Sequence, residues 1–194
     1  MVEDYGCNIM IWFTSDLHIG HDNIRKLANR PFSSVDEMNE TIVDNINKLV
    51  KPTDILYNLG DVTWFHRKEE IEPWLKRINC KNHYLIKGNH DWRELYGGCS
   101  SYFKGIYDLH EITLNKRKIV MCHYELATWN KQLHGSVSLF GHSHSNVFHR
   151  NDDGRKFCLC VEATGYQPVS IDQILESSLR IPTPMEMSLD NGTR

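Results

Sequence analysis

Carboxylates, imidazoles and one carboxamide recur along this chain at short, fixed spacings. They are Asp16 with His18, then Asp61, then Asn89, His90 and Asp91 in a row, then His123, and finally His142 with His144. A carboxylate and an imidazole at i and i+2 of an extended segment can point to the same side, which is what two ligands of one cation require. Together these side chains make an oxygen and nitrogen donor set without cysteine, suited to Mn, Fe, Zn, Co or Ni. Asn89 could offer a carbonyl ligand, His90 a proton-transfer group, and Asp91 a carboxylate to orient it. Each piece alone is weak: Asn and Asp are ordinary turn residues, and 11 histidines in 194 residues make a chance His-x-His unsurprising. What strengthens them is where they fall.

Each group follows an apolar run. Residues 8–15 lack helical spacing and read as a strand buried on both faces, ending at Asp16. Residues 54–59 read the same way and end in Gly60-Asp61, and residues 83–86 open into Lys87-Gly88-Asn89-His90-Asp91. Between them, Ser34 and Glu37 form a capping box, and Val35, Met38, Ile42, Ile46 and Leu49 follow at helical spacing. A second helix is expected around residues 74–78, with Pro73 in its first turn. Alternating strands and helices that deliver polar residues at strand ends predict an α/β arrangement with its ligands beyond the carboxyl edge of the sheet. After His110 the pattern turns to hairpins, at 112–122 across Asn115-Lys116 and at 146–162 across Asn151 to Gly154. A strand at 136–140 runs into Gly141-His142-Ser143-His144, and Ser170 with Gln173 caps a last helix to about Leu179.

The bulk properties narrow the function classes. A net charge of -3 leaves no basic surplus to hold a nucleic-acid backbone, so strong nucleic-acid binding is not expected, although catalysis on a nucleotide remains open. No apolar run approaches the ~18 residues of a membrane helix, and the acidic N-terminus is not a secretory signal. Six cysteines then read as reduced thiols of a cytoplasmic protein, with Cys158 and Cys160 as core residues.

In this order the residues resemble the calcineurin-like metallophosphoesterases, whose signature is Asp-x-His, Gly-Asp, Gly-Asn-His-Asp or -Glu, a lone His, and Gly-His-x-His. Here these are Asp16-Leu17-His18, Gly60-Asp61, Gly88-Asn89-His90-Asp91, His123 and Gly141-His142-Ser143-His144. His21, the Asn29-Arg30-Pro31-Phe32 run and residues 165–170 suggest a compact bacterial and phage-like subgroup. The resemblance implies one domain over residues 1–181, a four-layer αββα sandwich of two mixed β-sheets flanked by helices, with a loose tail over 182–194. It implies two divalent or trivalent transition metal ions, one held by Asp16, His18 and His144, the other by Asn89, His123 and His142, with Asp61 bridging. A metal-bridging hydroxide would then attack a phosphomonoester or phosphodiester in line, His90 would assist the leaving oxygen, and Asp91 would orient His90. The partner is a small phosphoester, a nucleotide among the options.

Three residues have lesser claims on substrate. His21 could touch phosphate or be a helix-start or surface histidine. Arg30 could bind phosphate, but an arginine before proline at a helix boundary reads better as a surface residue. Trp64 could wall the pocket and stack on a base or aryl group, or be core. Two other classes of function compete: a scaffold of this fold without activity, which would be expected to lack a ligand or the catalytic histidine, and a nuclease, which would need a basic groove or an extra capping domain. Neither feature is found in these letters.

Overall fold

The computed structural model describes residues 9–150 and 155–179. Strand β1 (Ile11–Thr14) leads through the one-turn helix α1 (Ile24–Leu27) and the long helix α2 (Val35–Leu49) to β2 (Ile55–Asn58). Helix α3 (Lys68–Arg77), β3 (Asn82–Ile86) and β4 (Gly105–Tyr107) follow. The second half runs β5 (Leu109–Leu114), β6 (Arg117–Cys122), β7 (Val137–Phe140), β8 (His149–Arg150), β9 (Lys156–Cys158), β10 (Val169–Ser170) and α4 (Ile171–Leu179). One sheet has the order β10-β1-β2-β3-β4, with β1 to β4 parallel and β10 antiparallel to β1. The other has the order β5-β6-β7-β9-β8, with β6, β7 and β9 parallel. These are the two mixed sheets with flanking helices that the resemblance implied.

The strands of the first sheet are apolar on both faces because both are covered. Leu56 and Leu85 pack with Met38, Ile42 and Ile46 of α2 and Ile71 and Leu75 of α3. Phe13, Tyr57 and Ile86 face the other way, against Ile119, Met121, Val137, Leu139 and Phe157 of the second sheet. Each such side chain contributes about 1.5–3 kcal/mol on burial, so these two cores far outweigh local propensity in placing the strands. Loop residues cover the outer face of the second sheet, with Trp129 buried and its indole donating to the Ser136 carbonyl. Among the described residues, no helix is long and apolar enough to cross a membrane.

Helix α2 begins as its sequence indicates, with the Ser34 hydroxyl accepting the Glu37 amide at 3.0 Å, a cap worth about 1 kcal/mol. Ser170 and Gln173 cap α4 reciprocally, at 2.8 and 3.3 Å. Asn115 and Lys116 both have positive φ, 48° and 66°, as a two-residue hairpin turn requires. Helix α3 departs from expectation: it starts at Lys68, so Pro73 lies in its interior. Its ring points to solvent while Ile71 and Leu75 are buried, so packing on one face offsets the missing amide. Strands β4 and β10, each two or three residues long, carry too little pattern to be read in advance. The expected turn at 151–154, the tail from Pro182 and Cys7 lie outside the described residues.

Candidate metal centre

The five polar groups leave the sheets at adjoining strand ends. β1 and β2 stay in step past their last residues, the Asp16 amide bonding the Gly60 carbonyl and the His18 amide the Asp61 carbonyl, both at 2.9 Å. The two sheets are tied at the same place: His123 Nδ1 donates to the Leu59 carbonyl at 2.7 Å, and the His142 amide donates to both Asp16 carboxylate oxygens at 3.1 and 3.0 Å. Five of the donors adopt left-handed backbone, with φ of 58° at Asp16, 52° at His18, 54° at Asp61, 65° at His142 and 44° at His144. Each costs about 1–2 kcal/mol for a side-chain-bearing residue, which concentrates strain at the site. Gly88 permits a close approach, since a methyl group there would collide with Asp61 Oδ1 and lie 2.5 Å from the Asp61 amide nitrogen. At Gly141 it would collide with Ser15 Oγ and Asp16 Oδ2.

The donor atoms converge. Those of Asp16, His18 and His144 lie within 4.8 Å of one another, as do those of Asp16, Asp61 and His123. Asp61 Oδ2 stands between the two groups, 3.5 Å from His18 Nε2 and 3.6 Å from His123 Nε2. The Asn89 carbonyl oxygen is 3.0 Å from His123 Nε2 and 2.8 Å from His142 Nδ1. The chemistry of this set fits cations in two ways. First, His18 Nε2 and Asp61 Oδ2 are buried without a hydrogen-bond partner among the described residues, the state of a ligand atom awaiting its ion. Second, with Nδ1–H committed to Leu59, a neutral His123 ring aims its Nε2 lone pair at the Asn89 amide oxygen. A cation, or an amide turned end for end, relieves that contact.

Burial sets the protonation states. It pushes His18 far below the usual imidazole range, helped by His144 and Arg30, so the ring is neutral and free to ligate. It raises Asp16, against the pull of His123 and His144. Asp91 is pushed up to about 6 by burial, in spite of hydrogen bonds from the backbone.

Three expected roles change once side chains are placed. The Asp91 carboxylate accepts the amides of Asp61 at 3.0 Å, Val62 at 2.9 Å and Gly88 at 2.8 Å. It therefore clamps the Asp61 loop to its own loop and does not orient the His90 ring. His90 acts on Asp61 too, its amide donating to Oδ1 at 2.8 Å and leaving Oδ2 for the site. Arg30 is not a surface residue: its side chain is fully buried and bonds the carbonyls of Asp16 at 2.7 Å and Leu17 at 2.9 Å. His21 is buried behind His18, with their Nδ1 atoms 3.3 Å apart, and stacks on Trp64 with ring centroids 3.8 Å apart. Trp64 is half-buried, its ring centroid 5.0 Å from that of His90, which places it at the wall of the site.

One participant escaped the sequence reading. Glu162 accepts from His144 Nδ1 at 3.0 Å and pairs with Arg30 at 2.8 Å. Burial opposes its ionisation, but these two partners outweigh burial and hold its carboxyl below the usual range. Its signal was present: like Asp16 and Asp61, it is an acid at the end of an apolar run, here residues 157–161.

Known proteins bear on this arrangement. A protein of Methanocaldococcus jannaschii, itself uncharacterised, is 31% identical over 170 residues, covering 86% of this chain and 89% of its own. The gene 66 protein of Mycobacterium phage L5 is 24% identical over 193 residues, covering 85% and 92%. A crystal structure of a protein of unknown function from Aquifex aeolicus superposes with a TM-score of 0.68 at 26% identity, over 87% of this chain and 99% of that one. A family model for the calcineurin-like phosphoesterases matches residues 9–151, the span that carries the strand-end groups from Asp16 to His144. With that match over most of its length, and with the strand-end donors assembled into one centre, this chain belongs to the calcineurin-like phosphoesterase family.

Proposed function

We propose that the chain hydrolyses a small phosphoester at a centre of two cations, by in-line displacement at phosphorus and without a covalent enzyme intermediate. Family membership supports metal-dependent phosphoester hydrolysis in general. In this reading Asp16, His18 and His144 hold one cation, Asn89, His123 and His142 hold the other, and Asp61 reaches both. The observation that carries it is Asp61 Oδ2, a buried carboxylate oxygen with no hydrogen-bond partner among the described residues and an imidazole nitrogen on either side. Such an oxygen costs about 1–3 kcal/mol or more if nothing meets it. Bound there, Mn, Fe, Zn, Co or Ni ions would acidify water toward neutral pKa and offset the charge that develops on the phosphoryl oxygens.

The chain's own residues supply position and a proton. Asp91 holds the Asp61 main chain, the His90 amide holds the Asp61 carboxylate, and the Leu59 carbonyl fixes the tautomer of His123. In this reading the His90 ring would protonate or hydrogen-bond the leaving oxygen, which its half-buried position, with its centroid 5.6 Å from that of His18, supports. Trp64 backs that ring, and beyond it the exposed His66 and Trp92 rings lie 4.2 Å apart between centroids. This ribbon of rings supports a leaving group with a planar ring, nucleotides included, alongside simpler monoesters and diesters.

The test is hydrolysis of aryl phosphate monoesters and diesters after reconstitution with Mn, Ni or Zn. Wild type is expected to turn over with at least one metal, and His90→Ala to keep two ions while losing turnover. Equal inactivity of both proteins with every metal would favour a silent interaction scaffold of the same fold. For the nuclease reading, the net charge of -3 is the opposing observation, and DNA and RNA in the same assay decide it.

A further inference from the structure

Arg30 and Glu162 lie 132 residues apart in sequence, and their pairing is buried behind the metal centre, with side-chain exposures of 0% and 4%. Glu162 Oε1 takes three contacts: Arg30 Nε at 2.9 Å, a terminal Arg30 nitrogen at 2.8 Å, and His144 Nδ1 at 3.0 Å. The guanidinium also donates to the Asp16 and Leu17 carbonyls at 2.7 and 2.9 Å. His144 closes the circuit, its Nε2 lying 3.7 Å from Asp16 Oδ1. The contacts thus run from the Asp16 main chain through Arg30, Glu162 and the His144 ring back to the Asp16 side chain. Both ends of that circuit, Asp16 and His144, have left-handed backbone.

Neither side chain reaches solvent or substrate, and a buried ion pair is a poor source of stability, because desolvating two charges offsets most of their attraction. What the pair does provide is direction. A carboxylate accepting Nδ1–H leaves the His144 lone pair on Nε2, facing Asp16, and raises the basicity of the ring as a ligand. We infer that Glu162, held by Arg30, is the positioning residue that makes His144 a competent ligand of the cation assigned to Asp16, His18 and His144. The inference rests on the assignment of His144 to that cation. It extends the centre to two residues outside the family motifs.

The test is titration of the metal-free full-length chain with Mn or Zn, read by calorimetry and by metal content after gel filtration. A second readout is the tautomer of His144 from its ring-nitrogen chemical shifts. Glu162→Gln, which can still accept the Nδ1–H but carries no charge, is expected to weaken one of two ions about 10-fold and keep the tautomer. Glu162→Ala is expected to weaken it about 100-fold and lose the tautomer. The paired change Arg30→Met with Glu162→Leu removes both charges together and so leaves no unpaired charge buried, with folding checked by circular dichroism; the same ion is expected to weaken as in Glu162→Ala. Wild-type affinity for both ions in a folded Glu162→Ala or double variant overturns the inference, as does an unchanged His144 tautomer in Glu162→Ala. If wild-type protein itself takes up no metal, the two-cation reading fails instead, and the tautomer still reports on the Glu162 contact.

Discussion

The inner and outer parts of the donor set are treated differently by the fold. Asp16, His18, Asp61 and His123 are each 1% exposed or less; the side chains of Asp16, Asp61 and His123 are hydrogen-bonded to the main chain of neighbouring loops, and that of His18 is backed by His21. Asn89 and His142, by contrast, are exposed; they contact each other and His123, and the His142 ring lies against that of Tyr124. The inner donors are stripped of water and oriented in advance, so a cation meets them without reorganising the chain. The outer donors stay open to solvent. Rigidity and access are thus divided between two sides of one centre.

The sharpest way to break this comparison is at Asp61, the inner donor that the proposed assignment shares between both ions. Asp61→Ala is expected to lose both ions and reduce turnover to background, whereas loss of only one ion would confine Asp61 to a single side. His90→Ala should retain two ions yet lower kcat by about 10²- to 10⁴-fold, the usual contribution of a positioned proton donor; loss of metal in this variant would make the ring a ligand. Asn89→Ala should weaken only the outer ion, by about 100-fold, leaving the inner one in place by metal analysis. Equal weakening of both would erase the distinction between the sides.

The smallest effect concerns the scaffold. His83 is buried in β3 with Nε2 unpartnered, and burial brings it down to about 4 from 6.5. The native state therefore prefers the neutral ring, and the unfolded chain binds the proton first. Its contribution is complete above pH 6.5 and disappears as pH falls toward 4, by about 3 kcal/mol at 1.36 kcal/mol per unit. Urea unfolding of wild type and His83→Leu across that window should give a flatter stability curve for the variant. Parallel curves would place the acid sensitivity elsewhere, at the metal centre itself.

How much of this was legible beforehand differs along the chain. Asp16, Asp61, Asn89 and His123 could be read because each is covalently next to a buried strand, and a run such as residues 54–59 announces its own end. The caps at Ser34 and Ser170 were legible for the same reason, since their partners lie three residues away. Helix α3 was placed too late because Pro73 outweighs its neighbours in a local reading, while the burial of Ile71 and Leu75 that carries the helix is a tertiary fact.

The sequence by itself determined which donors exist, in what order, and at which strand ends they emerge, because those properties depend on neighbours within a few residues. Only the tertiary structure decided what the supporting groups do. Asp91 turned to three amides instead of His90, Arg30 went inward to Glu162, and five donors took left-handed backbone. Those choices are made by groups as far as 132 residues apart, brought together by two sheets packing face to face, and no local pattern encodes them.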